Sequence, residues 1–199
     1  MSKRMKTGRP ISFDKDAALE AAMLLFWERG FEGTSMAELT RAMGLNPSSI
    51  YAAFGDKHAL FSLAVKRYLG NEAQYATKAL AEPTLEKVVR ALFNNTVAFL
   101  STPGHPPTCM TLAGAMGCSL DAAPARDLTT AVRKQNEVDM KERFLRAQKS
   151  GELSKDINVE DYTRYLSTIL AGLSIQAANG STKAELRRTA QMALLHLGY

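Results

Sequence analysis

The chain has 199 residues, of which 46% are hydrophobic and 23% charged, with a formal net charge of +5. That composition is ordinary for a globular protein with a sizeable core, and the length suits one large domain or two small ones. It excludes a membrane helix, because no apolar run approaches the roughly 18 residues required, and with two cysteines, Cys109 and Cys118, it excludes a disulfide framework.

No signal-peptide core follows Met1-Ser2-Lys3-Arg4-Met5-Lys6, so a cytoplasmic protein with no membrane partner is expected. The basic excess is local. Lys3, Arg4, Lys6 and Arg9 crowd the first ten residues without an acid, whereas Lys15, Arg29, Arg41 and Lys57 stand against seven acids in the stretch to Lys57. Such an arm suits a phosphate backbone and equally a solvated tail.

The pattern reads as helix throughout, with no alternating apolar stretch of the kind a strand needs. A first helix is expected over about 14–29, capped by Ser12 or Asp14, with Ala18, Ala22, Leu25 and Phe26 as its apolar stripe and Gly30 as its stop. Ser35-Met36-Ala37-Glu38 has the form of a capping box and opens a second helix that turns Met36, Leu39 and Met43 inward and stops at Gly44. Asn46-Pro47 opens a third, because Asn is a strong N-cap and Pro at the first helical position loses no hydrogen bond. Ile50 and Phe54 face its core side, Gly55 closes it, and Asp56 caps a fourth helix carrying Leu60, Leu63, Ala64 and Tyr68.

Glu82-Pro83-Thr84 separates this part from the next. A helix from Thr84 to about Leu100 follows, then a loop over 101–108 rich in proline and glycine, then a short apolar helix over about 109–119. Pro124 begins a long, more polar helix ending near Ser150-Gly151, and two further helices span about 158–179 and 182–197.

Two short helices joined at Gly44-Leu45 match the helix-turn-helix plan. In such a unit the first residues of the second helix enter the major groove and must be small, polar or able to reach base edges. Pro47, Ser48, Ser49 and Tyr51 occupy that edge. A generic helical hairpin would satisfy the same spacing.

Residues 9–69 closely resemble the N-terminal domain of the TetR (tetracycline-repressor-like) family. The stretches that carry the likeness are Ala22-Met23-Leu24-Leu25-Phe26-Trp27-Glu28-Arg29-Gly30-Phe31, Gly33-Thr34-Ser35-Met36, Ala42-Met43-Gly44-Leu45, and Ser49 through Leu60. The resemblance implies an all-α chain: a basic arm over 1–11, a three-helix DNA-binding domain over 12–72 with its helix-turn-helix at 35–54, and a ligand-binding and dimerisation domain over 73–199. It implies that Ser48, Ser49 and Tyr51 face the groove or its phosphates, that Lys57 contacts a phosphate, and that Thr34 and Ser35 offer hydroxyls and amides to another. Ala52 and Ala53 stand where the family often carries aromatic residues or histidine, and the arm around Arg4 and Arg9 is the expected replacement.

Residues 82–199 resemble the family only in outline. The last two helices carry Tyr162, Leu166, Ile169 and Leu173, then Leu186, Ala190, Ala193 and Leu197, stripes that suit half of a four-helix bundle completed by a second subunit or packing within one chain. Phe93, Val97, Cys109, Met110, Ala113, Met116, Phe144, Tyr165 and Ile169 are the expected pocket, and their character favours a small hydrophobic or aromatic inducer. The expected function is repression from a palindromic operator, its half-sites about 34–36 Å apart or a multiple of that, with release by the inducer.

Two alternatives stay open: a helical dimeric adaptor, and a thiol-responsive regulator acting through Cys109. An intrachain disulfide is not expected, because nine residues of helix would put the two cysteines about 13 Å apart. His105 and Cys109 lack a third metal ligand nearby. No cofactor is expected, and no enzyme, since the only matching pattern is the two-letter S-x-x-K at Ser12 and Lys15.

Overall fold

The computed structural model describes residues 13–113 and 119–199. Ten helices lie among them: α1 (Lys15–Arg29), α2 (Met36–Met43), α3 (Pro47–Phe54), α4 (Lys57–Gly70), α5 (Gln74–Leu80), α6 (Leu85–Leu100), α7 (Met110–Ala113), α8 (Ala123–Ser150), α9 (Val159–Ala178) and α10 (Lys183–His196). Ser12, Arg4, Arg9, Met116 and Cys118 lie outside the described residues.

Most helix starts are set by side chains that satisfy the first free amides. Asp14 accepts from Asp16 and Ala17, Asn46 from Ser49, Asp56 from Ala59 and Asn158 from Glu160 and Asp161. Ser35 with Glu38, and Thr182 with Glu185, form complete capping boxes. Hydrogen bonds from Ser35 and Thr182 hold both of these glutamates below the usual carboxylate range.

The element not foreseen is α5. Three residues separate it from the end of α4, and it has Ala73 at its N-cap position and receives no side-chain cap, so the sequence carries no start signal for it. The short apolar helix expected over 109–119 is a single described turn, α7.

Helices α1 to α4 form a head in which α1 packs against α2 and α4, and α2 and α4 both touch α3. Phe26 sits edge-on to Phe61 at 5.1 Å, and Phe31 closes the cluster against Phe61 at 5.4 Å. Helices α5, α6, α8, α9 and α10 form a second bundle. The two cores are continuous through Trp27, which is fully buried. Its indole N–H donates to the Thr108 carbonyl at 2.7 Å, and its ring lies 4.9 Å from Tyr68 and 5.5 Å from Phe99.

The turn between α2 and α3 depends on Gly44. Its φ of 64° and ψ of 27° are left-handed, and a Cβ there would meet nothing within 4 Å. Its requirement is therefore conformational and not steric. Gly44→Ala should destabilise the fold by about 1–2 kcal/mol, the left-handed cost for an ordinary residue, and Gly44→Asn by less. Urea unfolding of the three proteins checks this; an alanine variant as stable as the parent would remove the backbone requirement.

Candidate functional site

The exposed edge of the head is the first half of α3. Asn46 Oδ1 accepts from the Ser49 amide and the Ser48 hydroxyl, both at 2.8 Å. Ile50 and Phe54 are buried on the inner side, and Phe54 is backed by Phe13 and by the Lys15 ammonium 5.2 Å from its ring. Pro47, Ser48 and Ala52 are exposed, Ser49 is half-buried, and Tyr51 keeps 52% of its surface in solvent. Arg41, which the sequence reading did not single out, is exposed in the last turn of α2. Its signal was its place on the outer face of that helix, opposite Leu39 and Met43.

Two expected phosphate contacts do not have the geometry assumed for them. Thr34 is fully buried and its hydroxyl donates to the Gly30 carbonyl at 2.8 Å, so it offers no hydroxyl to solvent. Ser35 is exposed, but Glu38 accepts from both its amide, at 2.8 Å, and its hydroxyl, at 2.7 Å. Glu38 also pairs with Arg29 at 2.5 Å. The N-terminus of α2 thus already holds a carboxylate where a phosphate was expected.

Lys57 is half-buried, with its ammonium 4.2 Å from the centre of the Phe31 ring. Burial lowers its pKa, an effect opposed by Asp121, Glu32 and Glu38. The cation lies over an aromatic face at the start of α4, a position from which a flexible lysine can swing to an anion.

The second feature is a cavity of about 340 Å³, open on one side to solvent, lined by α5, α6, α7, α8 and α9. Of the described residues expected in the pocket from the sequence, it brings in only Cys109. Phe93, Val97, Met110 and Phe144 are buried and do not line the cavity. Ala113 and Ile169 are half-buried and also lie outside its lining, and Tyr165 is exposed. The lining comes from the adjacent phase of the same helices: Leu92, Thr96 and Leu100 on α6, Arg133 and Met140 on α8, Leu170 and Ser174 on α9, with Tyr75 on α5. A shift of one residue turns a helical position by about 100°, enough to exchange core for cavity.

Cys109 sits where α7 begins. Its amide donates to the Ser174 hydroxyl at 2.8 Å, its sulfur lies 3.1 Å from the Thr111 hydroxyl, and the Tyr68 hydroxyl donates to that sulfur at 3.5 Å. His105 does not join it. That imidazole pairs with Glu72 at 3.5 Å and lies against Trp27. Among the described residues no cluster of histidine, cysteine and carboxylate side chains could hold a metal.

The wall of the cavity rests on the head. Helix α7 packs against α1, and at Gly30, with φ of 71°, a Cβ would lie 3.2 Å from the Ala113 carbonyl. Past α7 the Ser119 amide donates to Glu32 at 3.0 Å, and His58 Nε2 meets the Asp121 carbonyl at 2.8 Å.

Most of the residues expected in dimer stripes on α9 and α10 are covered within the chain itself. Leu166, Leu173, Leu186, Ala190 and Ala193 are buried in the chain's own core, and Tyr162, Ile169 and Leu197 pack partly against it. Tyr162 stands edge-on to Phe144 at 5.1 Å. The large apolar residues of these helices that do face solvent are Tyr165, Ile175, Met192 and Leu195.

No helix among the described residues is long and apolar enough to cross a membrane. Residues 18–64 match the family of bacterial regulatory proteins named for tetR. The chain is 32% identical to the transcriptional repressor BdcR of Escherichia coli over 94% of its length and 90% of that protein. It is 29% identical to the repressor ComR of the same organism over the same shares of each chain. It also resembles a cysteine-substituted variant of the TetR-family regulator CifR, solved with a 26-base-pair operator, with 36% identity, a TM-score of 0.89 and coverage of 94% of this chain and 98% of that one. With that likeness running through head and bundle alike, the chain belongs to the TetR family of transcriptional regulators.

Proposed function

We propose that the chain acts as a homodimeric repressor, holding a palindromic operator with α3 of each subunit and releasing it when a small molecule enters the cavity. The observation that carries the DNA half is the solvent edge of α3: Asn46 and Gly44 hold it open, and Ile50 and Phe54 anchor its back. The repressor names of BdcR and ComR, and the operator bound by the CifR variant, support the same reading. Release follows from the docking of α7. A ligand favouring one placement of that turn biases Gly30, Glu32 and His58, and so the spacing of the two heads.

The cavity carries hydroxyls and an arginine beside its leucines, so its occupant has a polar end as well as the apolar body expected from the sequence. A second reading is favoured by one observation: the Cys109 sulfur lines the same cavity between two hydroxyl groups. A soft electrophile would form a carbon–sulfur bond there, with the thiol proton passing to the adduct or to solvent.

Replacing Ser48, Ser49 and Tyr51 together by alanine should abolish specific operator binding with helicity intact, since each base contact is worth about 1–3 kcal/mol. Lys57→Ala should instead weaken all DNA alike and flatten the log–log salt dependence by about 0.9 for each phosphate that is no longer neutralised. Fluorescence anisotropy across a salt series separates the two. Full operator affinity in the triple variant would remove α3 as the reader.

The dimer face is read from exposure. Glutamates at Ile175 and Leu195 should give folded monomers with weakened operator binding, because neither site lies in the subunit's own core; a glutamate at Leu173 should unfold the chain instead. Sedimentation with circular dichroism checks both, and a stable Ile175→Glu, Leu195→Glu dimer would place the interface elsewhere.

Treating the operator complex with N-ethylmaleimide should release DNA and label Cys109, and Cys109→Ser should abolish that release. Release from the serine variant, or labelling without release, would sink the thiol reading.

A further inference from the structure

Resting on the reading of the cavity as the ligand site, we propose that it takes an apolar carboxylic acid whose anionic end is held by Arg133. Arg133 is half-buried on α8 and lines the cavity. Its guanidinium donates to the Thr111 carbonyl at 2.5 Å and to the Thr130 hydroxyl at 2.9 Å. Both acceptors are neutral, and no carboxylate among the described residues comes within ion-pair distance of it.

A guanidinium has five N–H donors, and a partly buried cation without a counter-charge bears a desolvation cost that an incoming anion offsets. The other charged residues of the lining, Glu137 and Asp139, are exposed, and Asp139 accepts from Gln135 at 2.8 Å. They are more exposed to water than Arg133 is. Leu92, Leu100 and Leu170 supply the apolar part of the wall. The arrangement matches a molecule with one charged end and a hydrocarbon or aryl body.

The position of the arginine also gives the acid a route to the head. Its bond to the Thr111 carbonyl ties α8 to α7, and α7 is the turn that rests on Gly30. A carboxylate is the stronger acceptor for the same N–H. Binding of the acid therefore loosens the tie that holds α7 in its present place.

The test uses the full chain and its operator, with hexanoate, octanoate, decanoate and phenylbutanoate each compared with its primary amide by calorimetry, thermal melting and operator release. At least one acid should bind about 10- to 100-fold more tightly than its amide, the range for a charge-assisted hydrogen bond. Arg133→Gln should remove that preference and Arg133→Lys keep part of it, with the melting temperature without acid reporting whether each variant folds. Equal binding of acid and amide to the parent, no acid binding at all, or a preference that survives Arg133→Gln would each overturn the proposal. An acid that binds at Arg133 without releasing the operator would overturn the competition with Thr111. Failure of the repressor reading is distinct: the parent would then bind no operator in the absence of any acid.

Discussion

The indole of Trp27 is the group on which the relation between head and bundle depends. It is fully buried, and its faces and edges meet Tyr68 of α4, Phe99 of α6 and His105 of the following loop. Its one polar atom is satisfied only by Thr108, two residues before α7. Burying an aromatic group of this size is worth several kcal/mol by area, about 25 cal/mol per Å², and the N–H must find an acceptor when it does so. The same ring therefore belongs to both cores and fixes where the 101–108 loop ends.

From that anchor, α7 acquires its place. Thr108 is held by Trp27, Cys109 by Ser174 and Thr111 by Arg133, so the turn is tied to α1, α9 and α8 within four residues. Among the described residues α7 is one turn of helix, and these three bonds fix its position together with its packing on α1, α4 and α8. An element tied at several points to its neighbours is one whose equilibrium a ligand can shift by breaking one tie. Allosteric couplings of about 1–3 kcal/mol are typical, which is within the reach of one such bond.

The head shows how strongly local polar chemistry limits what a helix terminus can do. A free N-terminus attracts anions, but at α2 the capping box already fills that role with Glu38, and Arg29 lies against the carboxylate. At α3 the cap is the neutral Asn46, and no acid stands in the first turn. The end that faces away from the core on α3 is thus the one left open to a polyanion. Lys57, at the start of α4, holds its cation over the Phe31 ring.

What could be read from the sequence alone was whatever a few adjacent residues decide. Asp14, Ser35, Asn46, Asp56, Thr84, Asn158 and Thr182 mark helix starts because a cap acts within three residues, and Gly30, Gly44 and Gly55 mark ends because each φ is positive there. The reading edge of α3 was legible for the same reason: its cap and its two buried anchors lie within nine residues. What covers the apolar faces of α6, α9 and α10 was not. On α9, positions 162, 166, 169 and 173 and positions 165, 168, 172 and 175 both alternate steps of three and four, yet Leu166 and Leu173 are buried while Tyr165 and Ile175 face solvent. Periodicity shows that a helix has an apolar stripe; which neighbour covers it depends on contacts with residues far away in the chain. The cavity shares that origin, since Tyr75, Thr96, Arg133 and Ser174 meet only after five helices have packed, and only tertiary structure decides where a group so placed will point.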